Sequence, residues 1–318
     1  MQSCWQTRVK RGGKITESVI ALSRPVKIAR PCTSLQNRFI LSGAASGFRE
    51  FVGLHGGDAD DILDRVGVSP DTLNDPLSKL DLQKYCEIFE EAARATPHPN
   101  FGLWFGRQFH PRRLGLIGDL ALHSPTLRAA ITNLVENFSL YQQVTRMRLV
   151  RVDNLLRLEY QIVDGRICDR RQDSERTLGI LVNIFRCSLG ASWTPEEIHF
   201  EHPCPEDSEE HNQAFRAPTF FEQRSNAIVF RDTGFDHVMP QANLTRMIRD
   251  QANLARLCRD PGALPLIDRA AAALRSRFPE GAPNIDEIAE ELIMTRRTFQ
   301  RRLNEHHCPS SNALRQVA

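Results

Sequence analysis

The stretch Arg259-Asp260-Pro261-Gly262-Ala263-Leu264-Pro265 constrains this chain more than any other segment. Two prolines, each fixing φ and lacking an amide donor, surround a glycine, so neither a helix nor a strand runs through it. Residues 259–265 therefore read as a linker between a body, 44–258, and a C-terminal unit, 266–318. With 318 residues, 41% of them hydrophobic, the chain is long enough for a full core and a second domain.

The two sides of the linker carry different patterns. Upstream, the first hundred ordered residues read as helices. Phe48, Phe51, Val52 and Leu54 make a short one just after Gly47, and 58–66 comes next with Asp58 as N-cap. Residues 80–95 put Leu82, Tyr85, Ile88, Phe89 and Ala92 or Ala93 on one face behind a capping Asp81. Helices over 114–122 and 126–141 come after it, the latter behind Ser124-Pro125, whose proline suits a first helical position. Residues 147–152 and 155–163 then alternate apolar and polar about Asp153-Asn154, a hairpin pattern. A helix over 173–189 with Leu178, Leu181, Val182 and Phe185, strands over 198–201 and 227–230, and an amphipathic helix over 241–258 complete the body. That last helix places Leu244, Met247, Ile248 and Ala255 on one side, which makes it the expected surface for homodimerisation. The body is thus predicted to be α+β.

Downstream everything is helical. Leu266, Ile267, Ala270, Leu274 and Phe278 form one stripe. Asn284 caps 285–292, Glu287 completes a capping box, and Ile285, Ile288, Ala289 and Leu292 occupy the i, i+3, i+4, i+7 face. Ile293-Met294-Thr295 is a three-residue turn whose threonine caps 296–305. This last helix turns Phe299 and Leu303 inward and leaves Arg296, Arg297, Gln300, Arg301 and Asn304 outward. Arginine forks onto guanine, glutamine pairs with adenine, and either can hold phosphate, which is the chemistry of a major-groove reader.

Charge is divided in the same way. Residues 1–40 hold eight Lys/Arg against one acid, net +7, the other 278 residues net −5, and 294–318 net +4, so basic islands flank an acidic middle. The first island shows no period of 3.6 or 2, and residues 1–43 are expected to be a disordered or non-native extension. Eight cysteines without a CxxC pair fit a reducing, cytoplasmic setting rather than a disulfide framework. The longest apolar run, 178–182, falls far short of the ~20 residues that cross a bilayer, so no membrane association is expected.

Residues 284–303 resemble the first helix-turn-helix of the AraC family of bacterial transcription regulators, through Ala289, Leu292, Met294, Thr295 and Arg297-Thr298-Phe299-Gln300-Arg301-Arg302-Leu303. Upstream, Gly115-Leu116-Ile117-Gly118, Ser124-Pro125-Thr126-Leu127, His202-Pro203, Phe215, Phe220 and 227–230 resemble the effector-binding region of the subgroup with an arabinose-binding-type domain. The resemblance implies an α+β effector-binding and dimerisation domain joined to an all-α reader, and a ligand-responsive, sequence-specific regulator rather than an enzyme. Its implied partners are double-stranded DNA, a small-molecule effector, a second copy of the chain and RNA polymerase; it implies no cofactor. It places Arg297, Gln300 and Arg301 at base edges and Thr295 and Arg296 on the phosphate backbone, with Asn304 beside them. Ile293 and His307 stand where the family has glycine, and Pro309-Ser310 replaces a Ser-Phe pair. The sequence ends at Ala318, within what would be the linker helix, so the reader is expected to be incomplete, its second helix-turn-helix missing.

Two rival readings have sequence support. A body that dimerises but no longer binds an operator is one. A metal-dependent enzyme is the other, because His199, His202, Cys204 and His211 lie close together in sequence. Alternate strand residues face opposite ways and Pro203 and Pro205 exclude a helix there, so those four are not expected to converge. No Gly-rich phosphate loop, GxSxG or HExxH pattern is present, and His55, His98, His110 and His123 read as surface or core residues.

Overall fold

The computed structural model describes residues 18–19, 38–259, 286, 288–289 and 295–305, with backbone alone at 18–19, 258–259 and 302–305. The expected linker (259–265, beyond its first residue), the helix over 266–278, Asn284, Glu287, the Ile293-Met294 turn and 306–318 lie outside the described residues, and so does most of the expected all-α unit.

The body is mixed α/β, as its helical and alternating stretches lead one to expect. A sheet of six strands runs in the order β1 (Ser18–Val19), β4 (Thr145–Val152), β5 (Leu155–Ile162), β8 (Asn226–Arg231), β6 (Glu197–His199), β7 (Thr219–Phe220). The β4–β5 hairpin pairs Val152 with Leu155, and Asp153 takes a left-handed φ of 53°, a conformation that aspartate tolerates. All pairings in this sheet are antiparallel except β6 with β7. A separate two-stranded ribbon joins β2 (Phe39–Leu41) to β3 (Lys79–Asp81).

Described, buried structure begins upstream of residue 44. Phe39, Ile40 and Leu41 are buried in β2, and a 3-10 turn over Ser42–Ala45 continues the core. Three residues are too short to show a period among basic neighbours, which hid this strand.

Among the described residues of the body, ten helices surround the sheets: α1 (Phe48–Leu54), α2 (Ala59–Val66), α3 (Pro70–Asn74), α4 (Leu82–Ala95), α5 (Phe101–Gln108), α6 (Leu116–Leu122), α7 (Leu127–Tyr141), α8 (Arg171–Leu189), α9 (Glu209–Phe215) and α10 (Leu244–Arg259). Their starts obey local chemistry. Asp58 accepts from the amides of Asp60 and Asp61, and Asp81 from those of Gln83 and Lys84. In α7 the cap is Thr126, accepting from Ala129 N–H, so Pro125 stands before the helix and not at its first position.

α8 is the central element. It lies against α5 on one side and near β5 and β8 on the other. Glycines permit the close approach: a Cβ on Gly102 would stand 2.1 Å from the Gln172 carbonyl oxygen, and one on Gly106 would stand 2.4 Å from that of Arg176. Enclosed in this way, α8 buries its polar first half as well as its apolar second half.

α10 packs on α6 and α7 by a face other than the Leu244–Ile248 side expected for homodimerisation. Asp250, Asn253, Leu254 and Leu257 are buried and Met247 is half-buried, whereas Leu244 and Ile248 are 63% and 56% exposed. The helix turns a polar pair inward because the buried His123 pairs with Asp250 there.

Candidate functional site

Six consecutive polar residues of α8, Gln172 to Thr177, are buried. A buried polar group without a partner is unfavourable by roughly 1–3 kcal/mol, so such a run calls for an accounting of partners. Gln172 Oε1 accepts from the Gly102 amide at 2.7 Å, and its Nε2 donates to the Pro99 carbonyl at 2.8 Å. Ser174 Oγ donates to the Arg170 carbonyl at 2.9 Å. The Gln172 bonds knit the helix to the start of α5.

Glu175 gathers a second group. Its Oε1 is 2.8 Å from His211 Nε2, 2.8 Å from Arg171 Nε and 3.5 Å from His202 Nε2. Burial alone would raise its carboxyl, but His211, Arg171 and His202 hold it below the usual carboxylate range. Burial lowers His202 from the ordinary histidine value. His199, by contrast, bonds Glu197 at 2.8 Å, and Cys204 is exposed, so the four residues weighed as metal ligands do not meet. Among the described residues no cluster of His, Cys, Asp and Glu is arranged to hold a metal ion.

Arg176 differs from both groups. It is 2% exposed, yet no carboxylate lies within ion-pair distance of it among the described residues. Its Nη2 donates to the Ala44 carbonyl, and its Nε has no hydrogen-bond partner among the described residues. Four rings enclose the guanidinium, with centroids 5.4 Å (Tyr85), 5.4 Å (Phe89), 5.8 Å (Phe105) and 5.3 Å (Phe109) from its central carbon. Such cation–π contacts recover part of the lost hydration of a buried charge. Beside it stand the hydroxyls of Tyr85, unpartnered among the described residues, and Tyr141, whose proton burial holds above its usual range while Arg176 opposes the shift.

Asp173, one turn earlier, accepts from Tyr160 Oη at 2.6 Å, and Gln142 Nε2 donates to that hydroxyl at 2.7 Å. Burial raises the Asp173 carboxyl above its usual range, opposed by its bond from Tyr160 and by the nearby charge of Arg176. The result is a buried cation, two hydroxyls and a ring of phenylalanines at the centre of the body. No sequence pattern marks these residues as a site. One signal was available: Gly102-x-x-x-Gly106 is a spacing at which a neighbouring helix approaches closely, and it foretells that a facing polar helix is wholly enclosed.

The predicted DNA-reading residues lie elsewhere, on α11 (Arg296–Glu305). Thr295 Oγ1 accepts from Thr298 N–H at 3.3 Å, the capping bond expected of it. Thr295, Arg296, Arg297 and Arg301 are exposed, Gln300 is half-buried, and Phe299 is 2% exposed and so turned inward. Ile288 and Ala289 are buried, in keeping with their assigned inner face. Arg296 Nη1 meets Asp286 Oδ2 at 2.9 Å, a pairing that the sequence pattern does not foretell. The side chain of Asn304 lies outside the described residues.

A family model described as the arabinose-binding domain of AraC transcription regulators, N-terminal, matches residues 56–239. The chain belongs to that family. The matched span contains the whole Arg176 cluster apart from Ala44. Among solved structures, the transcriptional regulator CdpR from Pseudomonas aeruginosa is similar, at 17% identity and a TM-score of 0.47, with 81% of each chain covered. No curated protein matches the chain. No described helix is long and apolar enough to cross a membrane.

Proposed function

We propose that this regulator binds double-stranded DNA sequence-specifically and that a small molecule held in the body controls the binding. The exposed donor face of α11, with Thr295 capping and Phe299 anchoring, supports the first half, since such a helix offers side chains to base edges while its inner residue fixes its orientation. Arg297, Gln300 and Arg301 read bases; Arg296 contacts phosphate, held in line by Asp286. The second half rests on the family's arabinose-binding domain and on the Arg176 cluster within it. α10 is the last described helix of the body, and Asp250 ties it to His123 at 2.7 Å, a fixed point from which a ligand in the body would act on the residues that follow. The regulator acts as a homodimer, and RNA polymerase is the partner through which bound DNA would be used.

Selection from a random double-stranded DNA pool by the full chain tests this reading. Enrichment of a defined motif is expected, and Arg301→Ala relaxes one position of it. Recovery of unbiased sequence at every salt concentration would leave a dimerising body without an operator.

A further inference from the structure

We propose that the centre of the body takes a small organic monocarboxylate, its carboxylate held by Arg176 and the Tyr85 and Tyr141 hydroxyls and its carbon skeleton laid against Phe89, Phe105 and Phe109. The proposal rests on the reading of this domain as the ligand-receiving half of the regulator and names the class of ligand.

Charge selects the class. A guanidinium is a cation, and a buried cation without an anion is strongly disfavoured. Within the described residues the protein supplies to it a backbone carbonyl, four ring faces and the adjacent Tyr141 hydroxyl, and the nearby Asp173 carboxyl stays beyond ion-pair distance. Asp173 spends one oxygen on the Tyr160 hydroxyl. The free Nε–H of Arg176 donates and the unpartnered Tyr85 hydroxyl can donate, so an acceptor suits both, and the guanidinium charge favours an anionic one. A guanidinium fork matches the two oxygens of a carboxylate. One positive charge with two neutral hydroxyls balances a monoanion; a phosphate dianion would bring a second charge that nothing on these residues compensates. Three phenylalanines favour a carbon skeleton over a bare inorganic ion.

The unpartnered Tyr85 hydroxyl carries a distinguishing test. If it waits for a ligand, Tyr85→Phe relieves an unsatisfied buried group, so the ligand-free protein melts at the same or a higher temperature while carboxylate binding weakens. A purely structural tyrosine would not separate these two effects.

The experiment titrates the full chain with acetate, butyrate and benzoate, against chloride and the matching primary amides, by thermal shift and calorimetry. At least one carboxylate is expected to raise the melting temperature while its amide and chloride do not. Tyr85→Phe should weaken that carboxylate about tenfold, and Arg176→Met should abolish the response. Equal binding by wild type and Tyr85→Phe, or no response to any of the three carboxylates, overturns the proposal. DNA selection is scored separately: a motif enriched without any carboxylate response removes this inference and leaves the regulator standing, and carboxylate binding without a motif does the reverse.

Discussion

Gly106→Ala is the sharpest perturbation of the central helix pair. The new methyl carbon would stand 2.4 Å from the Arg176 carbonyl oxygen and 2.7 Å from its Cα, where ordinary contacts begin at 3.4 Å. Both are backbone atoms, so no side chain can swing aside, and α5 must withdraw from α8 by about 1 Å, a strain of the overpacking kind. Overpacking of a tight core destabilises by about 1–3 kcal/mol and backbone clashes sit at the upper end, whereas the helix propensity gained over glycine returns only about 1 kcal/mol. The net is roughly 1–2 kcal/mol of destabilisation, or a melting temperature lower by ~2–8 °C for a body of this size. Gly53→Ala is the matched control. Gly53 is exposed in α1, and a Cβ there meets nothing within 4 Å, so only the propensity gain of about 0.5–1 kcal/mol remains. Urea unfolding can be followed by tryptophan fluorescence, because Trp104 lies between the two α5 glycines with its Nε1 2.6 Å from Glu210 Oε2. The expected shifts have opposite signs. If Gly106→Ala is as stable as the parent, the α5–α8 approach is not as close as described and the burial of the polar run loses its cause.

Asp250→Ala breaks a buried pair at 2.7 Å and should destabilise the α10 contact by about 3 kcal/mol, read as faster hydrogen exchange over α10; unchanged exchange would remove the tie to His123. Acid should weaken the body from about pH 6.5 downward. Burial lowers the pKa of His110, His199 and His202, so their contribution is complete above the unfolded value of 6.5 and is lost as pH falls toward the folded values. Glu175, held low by His211 despite burial, adds a further loss on falling below about 4.5; a urea midpoint flat from pH 7.5 to 4.5 would contradict the histidine assignment, and one with no further fall below 4.5 the Glu175 assignment. On the DNA side, Arg301→Ala is expected to lose ~1–3 kcal/mol at one base position, while Arg296→Ala weakens all sequences alike and flattens the salt dependence. Equal losses from both on selected and random DNA would remove the base-reading assignment.

The mixed class of the body and most of its long elements are legible from periodicity and caps. Asp58 and Asp81 bond as their positions foretell, the hairpin turns at Asp153, and Leu82, Tyr85, Ile88, Phe89 and Ala92 are all buried. α5, α9 and the short strands β2, β3 and β7 are not, because two or three residues carry no period and α5 is apolar on most of its faces. In α10 periodicity marks the apolar stripe but not the face that packs on the body: Asp250 and Asn253 turn inward where His123 pairs with Asp250, and Leu244 and Ile248 stay exposed. The Arg176 cluster is the least visible feature. Its residues come from α4, α5, α7, α8 and the turn after α5, and only the fold assembles them.

The most direct test couples the two halves. Fluorescence anisotropy with a selected DNA duplex gives the dissociation constant of the full chain with and without a saturating carboxylate, for wild type and for Tyr85→Phe at the same carboxylate concentration. A ligand that controls DNA binding must shift that constant by its differential affinity for the free and DNA-bound states, typically about 5- to 150-fold. The expected result is a shift in wild type that Tyr85→Phe reduces in step with its weaker ligand binding. A DNA affinity identical with and without bound carboxylate would contradict a ligand-controlled regulator built around Arg176.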